Sequence, residues 1–354
     1  MTLALLACAP GEAWTDEERA VIATFGVEEP LPMRPTNRVA DDANAATVGE
    51  RFFHDPDMSA NGQVACITCH HPELHFGDGL DTPNTLGKGA RNTPSIEFTA
   101  YNTWYFWDGR SDSAWSQATG PIVNPIEHGF SAQRVREHVI AHDAEAYISV
   151  FGAISEDPDV VITNVGKAIE AFERTFRQPA SRFLRYVREL EAGRDSDTLS
   201  RAEKDGLRLF IGEGGCVNCH HGPRLTDDSF HNIGLPVTAA NGLDPGRATG
   251  AGAVLADPYN CLGRFSDDHA CPELHYLDPS FPDWAMGFKT PTLRNVAETA
   301  PYMHDGQTRS LAAALLFYNL LPGVPVAGHR ELTLQPLGFD ANELENLEAF
   351  LRAL

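Results

Sequence analysis

The sequence predicts a mainly α-helical protein of two tandem units with long loops and little sheet. Two nearly identical phrases, CITCHHPEL at 66–74 and CVNCHHGPRL at 216–225, stand one in each half. Helix-period apolar patterns flank both, whereas alternating strand patterns are few. The closing segments also match, Glu170-Ala171-Phe172-x-Arg174 against Glu348-Ala349-Phe350-x-Arg352, which reads as an internal duplication. A chain of 354 residues is long enough for two buried cores. The expected division is an arm over 1–40, a first unit over 41–190 and a second over 191–354, with the joint near EAGRDSDTLS.

Taken in order, MTLALLACAP ends like a bacterial lipoprotein signal at Leu5-Leu6-Ala7-Cys8, without the charged start and most of the apolar stretch. It reads as the remnant of an export signal with Cys8 as a candidate lipidation site. A disordered terminus with an incidental cysteine is the alternative. The rest of the arm is rich in proline and charge, apart from a short helix at TDEERAVIATF. AATVGERFF leads into the first cysteine pair. SAQRVREHVIAHDAEAYISVF carries Val135, Val139, Tyr147 and Phe151 at helical spacing, and TNVGKAIEAFERTF carries Val165, Ile169, Phe172 and Phe176. In the second half Ser200 and Glu203 form a capping-box start for the helix that enters the second cysteine pair. The chain ends on a helix with Leu344, Leu347, Leu351 and Leu354 along one face.

A formal net charge of -22 argues against nucleic acid or an anionic membrane as partner. It suits a basic or neutral protein partner, or serves solubility alone. No apolar run reaches the ~18 residues that would suggest a membrane span.

Cys66-x-x-Cys69-His70 and Cys216-x-x-Cys219-His220 are attachment sequences for a c-type haem. One helical turn sets two thiols to add across the two haem vinyl groups, and the next residue is carried under the iron as an axial ligand. The expected cofactors are therefore two covalent haem c groups, with His70 and His220 as iron ligands. Zinc held by the two cysteine pairs together is the rival, although a zinc ribbon does not ask for His directly after both pairs. A thioredoxin-like dithiol would need a βαβ context, which is missing. Haem c is attached outside the bacterial cytoplasm, so a periplasmic location agrees with the export-signal remnant. In that compartment Cys261 and Cys271, set in a long insertion, are expected to pair, with two free thiols as the alternative.

RNTPS (91–95), FWDGR (106–110), FHNIGLP (230–236) and TPTLRNVAETAPYMHDG (290–306), with the two haem sequences, resemble the bacterial dihaem cytochrome c peroxidase and MauG family over about residues 40–354. Within it, YFWDGRSDSAWSQATGPIVNPIEHG and the paired-cysteine insertion look most like the MauG-like enzymes of the MbnH type, associated with copper-handling operons. The resemblance implies two tandem cytochrome c-like domains: a first haem that meets hydrogen peroxide and a second that stores or relays electrons. Trp107 matches the tryptophan between the haems, where local sequence alone would suggest a core residue. Glu127 matches the distal acid that moves a proton during O–O cleavage, and Gln117 a neighbour in its pocket. Alone, these two would read as a loop and a surface helix residue. Asn92, Thr299 and Pro301 match a calcium site of one side-chain oxygen and two carbonyls, where an Asn before Thr-Pro would otherwise read as a turn.

Two departures from the peroxidase branch matter. Where those enzymes hold a distal histidine on the first haem, the aligned residue is Asn84, and His71 and His75 lie too close to His70 in sequence to reach the opposite haem face. The first haem should then be open to peroxide without prior reduction. Those enzymes also place a methionine on the second haem, whereas twelve residues beyond Gly306 stands Tyr318, as in the MauG-like branch. Without that register Tyr318 reads as a core tyrosine, and Met303 and Met286 are competing ligands. The resemblance therefore implies a peroxide-dependent oxidoreductase that forms a high-valent dihaem state and oxidises a tryptophan of a partner protein. The alternatives are a peroxidase fed with electrons by a small cytochrome or cupredoxin, and a non-enzymatic dihaem carrier or sensor.

Overall fold

The computed structural model describes residues 13–176, 181–237 and 242–354. Cys8 and the rest of the export-signal reading lie outside them. Helix α1 (Asp16–Thr24) starts in a capping box, Thr15 accepting from Glu18 N–H and Glu18 reaching back to Thr15. Helix α2 (Ala43–His54) is capped by Asp42 and precedes the first cysteine pair. Helices α3 (Ala114–Val123), α4 (Ala132–His138), α5 (Ala144–Phe151) and α6 (Pro158–Glu173) complete the first unit. The second contains α7 (Arg182–Glu191), α8 (Arg201–Ile211), α9 (Arg247–Ala256), the single turn α10 (Pro272–His275), α11 (Leu311–Leu320) and α12 (Ala341–Leu351). Among the described residues the only sheet is the antiparallel pair β1 (Phe230–His231) and β2 (Phe288–Lys289). A mainly helical fold with long loops is what the periodicity predicted.

The two units use one design. In the first, Val48, Phe52 and Phe53 of α2 pack on Val161, Val165 and Ile169 of α6. In the second, Leu207 and Phe210 of α8 pack on Leu347, Phe350 and Leu351 of α12. A glycine allows each crossing. A Cβ on Gly49 would lie 1.8 Å from the Ala168 carbonyl oxygen, and one on Gly206 would lie 1.9 Å from that of Asn346. Backbone cannot yield as a flexible side chain can, so Gly49→Ala should cost about 3 kcal/mol or more. Chemical denaturation of the haem-loaded protein measures it, and a loss below about 1 kcal/mol would show that the helices can separate at little cost.

The packing differs from the expected boundaries in two places. Phe183, Tyr186, Val187 and Leu190 of α7, assigned by sequence to the first unit, lie in the second core. So do Trp14, Ile22 and Phe25 of the arm, all at most 5% exposed. By packing, the first unit ends with α6. The expected single helix over 132–151 is also interrupted, by a π turn at Val139–Asp143. The apolar period runs through that turn, since Val135, Val139 and Tyr147 are all buried, so the pattern could not reveal the extra residue.

Cys261 and Cys271 are bridged, as expected. The bridge closes a strap from the second half that grips the first unit. Lys167 Nζ pairs with Asp267 at 2.8 Å and donates to Phe265 O at 2.8 Å, while Cys261 N–H donates to Asp112 at 2.8 Å.

Candidate active site

Each cysteine pair forms one 3₁₀ turn, Cys66–Thr68 and Cys216–Asn218, and the following histidine folds back on it. His70 N–H donates to Cys66 O at 3.0 Å, and His220 N–H to Cys216 O at 2.9 Å. The rings are held alike. His70 Nδ1 donates to Phe76 O at 2.8 Å and His220 Nδ1 to Leu225 O at 2.9 Å. That tautomer leaves Nε2 as the lone-pair nitrogen, the usual way a second hydrogen bond prepares an imidazole for a metal. Burial pushes both histidines below the ordinary imidazole range, which keeps them neutral.

The four cysteines are unpaired, and burial pushes the thiols of Cys66, Cys69 and Cys216 up to about 12. Among the described residues no metal-ligating cluster brings the two pairs together, which removes the four-cysteine zinc site. Two separate thiol pairs, each followed by a neutral histidine with a free Nε2, fit a haem at each site.

Glu127 is half-buried. It follows α3 in a turn where Asn124 Nδ2 donates to its Oε1 at 2.6 Å. Its charge adds a small push to the larger effect of burial on the Cys66 and Cys69 thiols. Burial holds Glu127 itself above the ordinary carboxylate range, against the opposing pull of Asn124 and Arg110. Gln117 is half-buried on α3, and no hydrogen bond joins it to Glu127. Asn84 lies in an exposed turn paired with Lys88. His75 is turned to Glu97 at 3.3 Å, and Glu97 is held in turn by Asn295 at 2.7 Å.

Trp107 joins the two halves. Its Nε1 donates to Asn92 O at 2.9 Å, and its own carbonyl accepts from Lys289 N–H of β2 at 2.8 Å. The surrounding hairpin is closed by the bridge of Tyr105 with Ser111, and its turn needs Gly109 at φ 66°. A Cβ there would lie 2.3 Å from the Phe230 ring. Arg91 braces the same junction, 2.6 Å from Asp108 and 2.7 Å from Asp244.

Asn92 is buried, its N–H donates to His304 O at 2.8 Å, and its Nδ2 donates to Leu80 O at 3.0 Å. This sets it against the turn that carries Thr299 and Pro301. Among the described residues, Asn92 Oδ1 and the carbonyl oxygens of Thr299 and Pro301 accept no hydrogen bond. Three free hard oxygens suit a calcium ion.

Tyr318 lies on α11. Burial first, and then the nearby Cys216 and Cys219, push its phenol well above the ordinary tyrosine range. The competing Met286 is buried where its N–H donates to Pro245 O at 3.0 Å, and Met303 takes the left-handed conformation in the turn before Gly306.

Several residues of this region escaped the sequence reading. His231 is clamped between Asp227 and Glu331, at 2.8 Å from each, and Asp227 foremost pushes it up to about 11. It lies inside FHNIGLP, as Arg91 and Arg110 lie inside RNTPS and FWDGR, so the motifs contained them without showing their partners. Arg247 is 1% exposed, under the rings of Trp104 and Phe230 at 4.1 and 4.2 Å. No motif marked it.

Residues 43–192 match the family model described as di-haem cytochrome c peroxidase. The chain is 33% identical to the methylamine utilization protein MauG of Methylorubrum extorquens over 352 residues, 98% of this chain and 88% of that protein. It is 30% identical to the cytochrome c551 peroxidase of Nitrosomonas europaea over 331 residues, 91% of this chain and 84% of that one. A solved MauG-like protein associated with microbial copper homeostasis superposes with TM-score 0.68 at 26% identity, covering 97% of this chain and 95% of the other. The diheme peroxidase BthA from Burkholderia thailandensis shares the fold, with TM-score 0.72 at 23% identity over 88% and 86% of the two chains.

Proposed function

The chain belongs to the di-haem cytochrome c peroxidase and MauG family of oxidoreductases, and from that premise we propose that it uses hydrogen peroxide to oxidise a partner protein. The observation that carries this reading is Tyr318 on α11, a half-buried phenol that burial and the Cys216 and Cys219 thiols push up. Bound haem would supply iron that takes up peroxide at the first site and accepts the oxidising equivalents. Cys66, Cys69 and His70 would hold one haem, and Cys216, Cys219, His220 and Tyr318 the other.

The protein's own groups then have distinct tasks. Glu127 accepts the proton from the near oxygen of peroxide and returns it to the departing one, with Gln117 at the pocket edge. Asn84 in its exposed turn leaves the first site without the distal histidine of the peroxidase branch. Trp107, held at both ends of its hairpin, offers an aromatic path between the two sites. Asn92, Thr299 and Pro301 would hold Ca2+ and tie the two motif loops together. A tryptophan on a partner protein is the proposed final electron donor, in the periplasm. A small cytochrome or cupredoxin as donor is the rival reading, favoured by the similarity to the cytochrome c551 peroxidase.

Glu127 gives a test with a definite sign. The base works only when ionised, and burial raises its pKa. Peroxide consumption should therefore fall on acidification at a higher pH than an ordinary carboxylate would give. Glu127→Gln should slow the reaction by about 10²-fold and remove that acid limb. Stopped-flow measurement against pH checks both, and an unchanged rate would remove Glu127 from the mechanism.

A further inference from the structure

We propose that the first unit carries a metal site apart from both cysteine pairs, for a borderline divalent ion of the zinc class. Its ligands would be Asp55, His138, His142 and Asp143. His138 Nε2 lies 2.7 Å from Asp55 Oδ2 and 3.6 Å from Asp143 Oδ2, and the ligand atoms of these three residues lie within 4.8 Å of one another. These separations straddle the ~3.3 Å edge of a tetrahedron whose ligands lie ~2.0 Å from zinc. The His142 ring is 4.8 Å from that of His138 and is exposed, so it can turn in as the fourth ligand.

The second oxygens are already engaged. Asp55 Oδ1 accepts from Asp57 N–H at 2.9 Å, and Asp143 Oδ1 is paired with Arg51. Each carboxylate thus points its other oxygen, Oδ2, at the same imidazole nitrogen, while neighbouring groups orient it as outer-shell partners orient metal ligands. His138 and Asp143 are buried, with side chains 8% and 6% exposed, yet a cavity of about 330 Å³ opens over them. Arg51, Asp57 and the four proposed ligands line it.

The π turn explains how the ligands meet. In an α-helix, residue i+5 is carried away from the face of residue i. The wider π turn brings i+4 and i+5 to either side of i, so His142 and Asp143 flank His138. Two imidazoles and two carboxylates favour zinc, and differ from the all-oxygen set proposed for calcium.

The haem-loaded full chain, stripped with chelator and equilibrated with Zn2+ in excess Ca2+, should retain about one zinc for every two irons after gel filtration. Elemental analysis reads the ratio. His142→Ala, at an exposed position, should weaken zinc retention about 10-fold or more, and His138→Gln should abolish it. An unchanged haem spectrum reports that each variant has folded. No retained zinc would mean that the cluster is an ion-pair network only, and equal retention by His142→Ala would place the zinc elsewhere. Either result overturns the site.

Discussion

Replacing Cys66 and Cys69 by alanine should leave a chain with half the parent's iron, and replacing Cys216 and Cys219 should remove the other half. Each pair lies on its own 3₁₀ turn, with its own histidine held by its own carbonyl. The two sites should therefore load independently. Haem-stained denaturing gels and intact mass measure the outcome. The first pair's loss should abolish peroxide consumption, because the proposed peroxide site, with Glu127, is the first. Zinc in place of iron in the parent protein would contradict the assignment.

Tyr318→Phe should change the spectrum of the second haem and abolish any stable two-electron-oxidised state. A free phenol in this half-buried setting resists ionisation. Iron can reverse that preference, since a phenolate oxygen is a hard anionic donor that favours the higher oxidation levels. Compared with methionine it should lower the reduction potential. Such a haem accepts electrons poorly from a mild donor but can hold oxidising equivalents for a protein substrate. The far-red band of methionine–iron ligation should be absent from the parent. Its presence, or an unaltered second haem in Tyr318→Phe, would return the protein to the peroxidases that use a small donor.

Much of the fold is readable in the sequence. The attachment sequences carry their chemistry locally, because one turn of backbone brings thiol, thiol and imidazole together. The helices followed from apolar period and from caps such as Ser200 with Glu203. What escaped was non-local. The pattern of α7, RFLRYVRELE, shows an apolar face but not which core receives it. Gly49 and Gly206 look ordinary until the opposing carbonyls of Ala168 and Asn346 are in place. The roles proposed for Trp107, Glu127 and Tyr318 rest on motif register, and their neighbourhoods needed the fold. Asp55, His138 and Asp143 come from a loop, a helix end and a π turn, and no spacing rule joins them.

The most direct test of the central claim is a peroxide titration of the fully oxidised, unreduced protein, followed by absorbance. The account predicts reaction with about one equivalent of peroxide and a product that persists until a reductant or a partner tryptophan consumes it. No spectral change until one haem has first been reduced would contradict it.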